Sequence, residues 1–152
     1  MAITLQRKVL RTIEEKLRQR GSLVDEARWA LQMAESRAMY SGVRFDNDGG
    51  GSGEKSDKFS RQVLTVIEAR EALEEARKWE WVFARMDYQY PTGTEERKII
   101  RYLYALGYKQ ETVAKRMHYD RQSIRRKRDA WLGTCALLAA EAGLLHLDGG
   151  EG

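Results

Sequence analysis

The stretch "GYKQETVAKRMHYDRQSIRRKRDAWL", Gly107 to Leu132, decides how the rest of the chain is read. It opens with a glycine, the residue that most readily ends a helix in a left-handed conformation. The pattern predicts a short helix from Gln110 to Met117, a turn at His118-Tyr119-Asp120 and a second helix from Arg121. Two helices joined by so short a turn form a helix-turn-helix. The apolar positions agree with it. Val113 and Met117 face inward from the first helix and Ile124 from the second, with the small Ala114 where the helices cross. Asp120 suits the start of the second helix, because its carboxylate can accept from an otherwise unbonded backbone N–H. The usual glycine of such a turn is replaced by His118, which can adopt the left-handed conformation at some cost.

On the second helix, Ile124, Trp131, Cys135 and Leu138 share one side, and Gln122, Arg125, Arg126 and Asp129 lie on the other. An α-helix fits the DNA major groove with its N-terminal residues against base edges. Arg121, Gln122, Arg125 and Arg126 are therefore the candidate base readers: Arg can grip guanine O6 and N7, and Gln can grip adenine N6 and N7. Lys109, Gln110, Lys115, Arg116, Lys127 and Arg128 are the candidate phosphate contacts. From Glu95 to Arg128 there are eleven Lys/Arg against four acids, a net +7 in a chain whose total is +4. Such concentration of charge is the footprint of a nucleic-acid-binding module. The plainer reading of "RRKR" is a solvated charged face. Its offset from the Ala114–Met117 helix favours double-stranded DNA as the partner.

Upstream, the chain is helical in pattern. Apolar residues at Ile3, Leu10, Ile13, Leu17, Val24, Ala27, Leu31, Ala34 and Ala38 make a heptad-like seam, interrupted at Gln6 and Arg20. One long helix is expected to about Tyr40, weakened at Gly21-Ser22. A second is expected from about Asp57, capped by Ser56 or Asp57, to about Tyr88, with a stripe of Phe59, Val63, Val66, Ile67, Leu73, Ala76, Trp79 and Phe83. Two such helices fold back most simply as an antiparallel hairpin. The alternative is that the stripes pair between chains, as a homodimer seam. "YPTGTEE" (Tyr90 to Glu96) then ends the second helix, and Thr94 with Glu95 and Glu96 suits a new helix start.

Between the long helices lies "SGVRFDNDGGGSGEKSDK", which includes "GGGSGEKS" (Gly49 to Ser56). Gly49, Lys55 and Ser56 fall at the spacing of a phosphate-binding loop. Glu54, however, puts a carboxylate and a side chain just before the lysine, and no strand precedes the glycines. The segment is read as a flexible linker at about residues 41–58. The expected organisation is a helical hairpin over 1–90, a helix-turn-helix domain over 91–147 and a disordered tail over 148–152, in an all-α fold.

Composition narrows the function. One proline and abundant Ala, Leu, Glu, Arg and Lys suit an all-helical protein. Cys135 is alone, so no intramolecular disulfide can form, and with only His118 and His146 beside it a zinc site is not expected. No paired carboxylates or Ser-His-Asp set suggests an enzyme, and no cofactor is implied. Tyr88, Tyr90, Tyr102, Tyr104, Tyr108 and Tyr119 read as packing residues. No apolar run approaches the length of a bilayer span and no signal pattern opens the chain, so a soluble, cytoplasmic protein without membrane contact is expected.

The segment from Glu96 to Leu132 resembles sigma-factor region 4, with its helix ending in Gly107, Val113-Ala114 and Met117, the turn, and Ser123-Ile124 before Arg126. The layout of the whole chain is similar to that of small phage-encoded transcriptional regulators of the ArpU and RinA type. These place a long helical region and a polar break before a C-terminal sigma-like helix-turn-helix. The resemblance implies control of phage genes and leaves RNA polymerase open as a second partner. A different class built from the same parts is the small DNA-recognition subunit of a phage packaging terminase, which usually carries its modules in the reverse order. After the second helix, "GTCALLAAEAGLL" stays apolar beyond a minimal region 4, and either extends that helix over the bundle or forms a dimer surface.

Overall fold

The computed structural model describes residues 6–42 and 53–146. Among them are six α-helices, one π-helical segment and no strand, so the fold is all-α. The helices are α1 (Arg7–Gln19), α2 (Leu23–Gly42), α3 (Gly53–Gln89), α4 (Glu95–Ile100), α5 (Gln110–Met117) and α6 (Arg121–Glu141), with the π segment Arg101–Ala105 following α4.

Three expected boundaries move. The first long helix is two helices, because the chain turns at Arg20-Gly21-Ser22. There the Arg20 N–H bonds Leu17 O at 3.2 Å, a tightened last turn, and Gly and Ser are poor residues with which to continue a helix. The linker is shorter than expected at both ends, since α2 runs to Gly42 and α3 begins at Gly53 rather than near Asp57. Helix propagation adds a bond per residue, so a favourable helix extends back through Lys55 and Glu54 despite the glycine beside them. The rest of the linker reading, including Gly49, lies outside the described residues, as does the tail over 148–152.

Contacts divide the chain into two units, Ser22–Arg77 and Met1–Gly21 with Lys78–Gly152, whereas the sequence pattern put a boundary at about residue 90. In Ser22–Arg77, α2 buries Leu23 and Ala34 and α3 buries Leu73 and Ala76. Val24, Ala27, Leu31 and Ala38, and on α3 Val66 and Ala69, are half-buried at the same three- and four-residue steps. Phe59, Val63 and Ile67 leave the expected stripe and are exposed. They follow one another at steps of four, and each such step drifts about 40° round a helix of 3.6 residues per turn. The row therefore winds away from the buried seam.

In the larger unit, α6 packs against α1, α4 and α5, and α1 also packs against the π segment. Ile13 and Leu17 bury the inner side of α1, while Trp79, Val82, Phe83 and Met86 bury that of the end of α3. Arg20, which interrupts the seam in the sequence, fastens α1 to α3. Its Nη2 donates to Glu80 at 3.2 Å and Asp87 at 2.8 Å, and its guanidinium lies 5.5 Å from the Phe83 ring centre. "GTCALLAAEAGLL" continues α6: Trp131, Leu132, Cys135, Ala136 and Ala139 are buried within this unit. Burial pushes the Cys135 thiol up to about 12, consistent with a small core residue. Gly143, at φ +80°, ends the helix, with Leu144 N–H on Ala139 O at 2.8 Å.

The end of α5 has the same form without a glycine. His118 sits at φ 59°, ψ 40°, and the Tyr119 N–H reaches back to Ala114 O at 2.9 Å. An L-residue pays roughly 1 kcal/mol for that conformation and glycine does not. His118→Gly is therefore expected to raise stability by about 0.5–1 kcal/mol, read as a higher midpoint in thermal or urea unfolding. An unchanged or lower midpoint would show that the His118 side chain offsets the strain.

Candidate nucleic-acid interface

The site is built on a small apolar cluster. Ile99 of α4, Val113 and Ala114 of α5 and Ile124 of α6 are buried together, with Tyr102, Leu103, Tyr108, Met117 and Tyr119 packed against them. Ala114 lets α5 and α6 approach, and Ile124 points the opposite side of α6 outward. The start of α6 falls at Arg121 because Asp120 caps it: the Ser123 N–H donates to Asp120 Oδ1 at 2.6 Å. That bond holds the Asp120 carboxyl below its ordinary range. At the start of α4, Thr94 stands in the cap position but does not cap. Its hydroxyl donates to Pro91 O at 2.9 Å.

Of the expected base readers, Arg121, Gln122, Arg125 and Arg126 are all exposed on the first two turns of α6. Arg121 is paired with Glu111 across the turn at 3.3 Å, an exposed bridge that salt and competing anions weaken. Arg125 joins Arg121, Lys109, Gln110 and Arg128 around one polar cleft of about 540 Å³. Arg18, on α1, stands in the same cleft with its guanidinium 5.6 Å from the Tyr104 ring centre. Glu14 closes the opposite part, accepting from the Tyr104 hydroxyl at 2.7 Å. Burial, and then Glu14, push the Tyr104 phenol well above its ordinary range, so it remains a neutral donor. The arrangement gathers Arg18, Lys109, Arg121, Arg125 and Arg128 around one cleft beside α6, with Glu14 and Glu111 at its edge.

The other expected phosphate contacts are placed differently. Lys115 is exposed. Arg116 covers the stacked Tyr102–Tyr108 pair, 4.8 Å from the Tyr108 ring centre. Arg128 is mostly covered and donates to Asp129 at 2.9 Å. Lys127 turns to α4, with Glu95 at 3.0 Å, Glu96 at 3.8 Å and the Tyr119 ring beneath it. Glu95 is held below the ordinary carboxyl range, first by the Tyr119 hydroxyl and then by Lys127, and the pairing raises Lys127 in turn. Lys127 is thus tied to the scaffold. Position 127 lies three residues after Ile124, which carries it round toward the buried side of α6. Arg18 is absent from the sequence reading. Its only mark there is its place one residue after Leu17, and nothing local joins α1 to a helix a hundred residues later.

No protein-family model, curated protein or solved structure matches the chain. Among the described residues, no group of three or more His, Cys, Asp or Glu side chains could hold a metal ion. None of the described helices is long and apolar enough to cross a membrane. The arrangement of charge and helix ends is what bears on function.

Asp120 gives a test of the local construction. Its carboxyl titrates lower in the fold than its ordinary value near 3.8. The stability it contributes is therefore complete above that value and is lost as pH falls through the lower, folded one. Asp120→Asn keeps an acceptor at the cap and is expected to flatten the fall in stability between about pH 5 and pH 2. Unfolding midpoints of the two proteins that decline in parallel over that range would place the acid sensitivity elsewhere.

Proposed function

We propose that the chain is a sequence-specific regulator of transcription that reads the DNA major groove with the start of α6. The observation that carries this reading is the presentation of Arg121, Gln122, Arg125 and Arg126 on the exposed first two turns of a helix whose other side is anchored by Ile124. α5, its three-residue turn and α6 act as a helix-turn-helix, with Lys109, Gln110 and Lys115 against the phosphates. Mixed readers suit a defined site: guanidinium groups and an amide distinguish bases, whereas lysine charge alone does not. The role is non-catalytic, is exercised in the cytoplasm, and accords with the resemblance to phage-encoded regulators. RNA polymerase is a second proposed partner through the sigma-like segment.

A homodimer is part of the same proposal. Trp29, Met33 and Tyr40 on α2 and Phe59, Val63 and Ile67 on α3 are large apolar side chains left exposed. Pairing of the long helices between two copies would cover them. A mass in solution corresponding to one or two chains fits a regulator. A ring of roughly eight or more subunits would instead favour the terminase subunit, whose ring assembly is the property that separates the two readings.

The deciding measurement is binding to DNA from the protein's own genomic neighbourhood, with random-sequence competitor, at several salt concentrations. Arg125→Ala is expected to cost about 1–3 kcal/mol on the selected site and much less on random DNA. Lys109→Ala is expected to weaken both by a similar factor and to lower the salt slope by about one unit. Equal losses on both DNAs from both variants would leave a binder of charge alone, and the regulator reading would fall.

A further inference from the structure

A second cleft, of about 660 Å³, shares Arg18 and Tyr104 with the polar one and lies within the larger unit. Its volume is that of a small-molecule site. Its floor is apolar: Leu17 from α1, Ile100 and Tyr104 from the α4–π run, and Trp131 from α6, all nearly buried. Arg97, Ile100, Arg101, Tyr104 and Ala105 line it in three- and four-residue steps, so one continuous helical face forms a wall. Within that wall the backbone leaves α form, with Leu106 N–H on Arg101 O at 3.0 Å. Such π segments occur frequently at functional sites.

The charges around this floor do not cancel. Arg18, Arg20, Arg97 and Arg101 face two acids, Glu80 and Asp87. Both acids are taken by Arg20, at 3.2 and 2.8 Å, and Arg97 adds a longer contact to Asp87 at 3.8 Å. That set is neutral to first order and closes one end. Arg18 lies over the Tyr104 ring, whose hydroxyl holds Glu14 on the side of the polar cleft, and Arg101 is exposed with no carboxylate of the described residues against it. The remainder is two guanidinium groups beside an apolar floor of aromatic and branched side chains. A neutral ligand would leave both unused, and a cation would be repelled. A fully polar anion would gain nothing from Trp131 and Ile100.

We propose that this cleft is a binding site for an amphipathic anion: a carboxylate or sulfonate carried on an aromatic or acyl body, its charge at Arg18 and Arg101 and its body on Leu17, Ile100 and Trp131. The guanidinium fork matches such a head group in two parallel hydrogen bonds. The site shares Arg18 and Tyr104 with the polar cleft beside α6 but includes none of the proposed base readers, and it does not rest on that reading.

The test uses the full chain and two fluorescent probes, anilinonaphthalene sulfonate and its uncharged analogue phenylnaphthylamine. The wild type is expected to bind the sulfonate at least about tenfold more tightly than the neutral compound. Arg101→Gln removes one head-group contact and is expected to weaken the sulfonate roughly tenfold or more while leaving the neutral probe unchanged. Ala105→Phe fills the cleft from its wall and is expected to weaken both. Arg101 and Ala105 are exposed, so circular dichroism should report an unaltered helix content for both variants. Equal affinity for the two probes, or sulfonate binding that survives both substitutions, would overturn the proposal. The second result would put the probe on the exposed apolar side chains of α2 and α3.

Discussion

The larger unit depends on α6 being buried along its length while its first two turns remain charged on the outside. Ile124 is the pivot. It locks the start of α6 against Val113 and Ala114, and seven residues later Trp131 begins a wholly apolar inner side that receives α1 and α4. The long second half of the helix therefore supplies most of the buried surface, and the first half inherits its position from it. Removing the apolar half would leave Arg121 to Arg126 on a short, poorly held helix.

The same constraint sorts the basic residues. Arg125 and Arg126, on the outer side of α6, stay exposed, and Arg121 keeps only an exposed pairing with Glu111. The charges that come round to the flanks are captured, Lys127 by Glu95 and Glu96 and Arg128 by Asp129. A run written as four consecutive cations, "RRKR", thus acts as two different things. Arg125 and Arg126 remain exposed, while Lys127 is paired with α4 and Arg128 with its neighbour Asp129. Helical geometry divides the run, because adjacent residues stand about 100° apart on the helix.

Local signals were legible in the sequence, and long-range ones were not. The bounds of α5 and the start of α6 agree with the pattern because Gly107, His118 and Asp120 are strong punctuation acting over one turn. The all-α class comes from composition in the same way. The break at residues 20–22 was only half legible: Gly21-Ser22 marks a weakness, but the separate packing of α1 against α6 is not written there. Arg20 and Arg18 show the limit most clearly. One looks like a flaw in a seam and the other like surface charge. Their partners, Asp87 and Tyr104, are more than sixty residues away and carry no periodic relation to them. On α3, a row at steps of four was merged with a seam at steps of three and four, and only burial separates them.

The π segment has a consequence for how the chain can vary in length. Arg101–Ala105 winds more slowly than an α-helix, so the run from α4 to Gly107 holds about one residue of slack. Deleting one residue there would let the backbone close into ordinary α form with its hydrogen bonds intact. The wide turn already absorbs the extra residue, so the helix on either side would keep its rotational place and Ile99 could stay beside Val113. The same deletion in regular α-helix, in α4 or α5, would instead turn the two sides by about 100° against each other. The run from α4 to Gly107 can therefore shorten by one residue at Arg101–Ala105, where the helices on either side cannot.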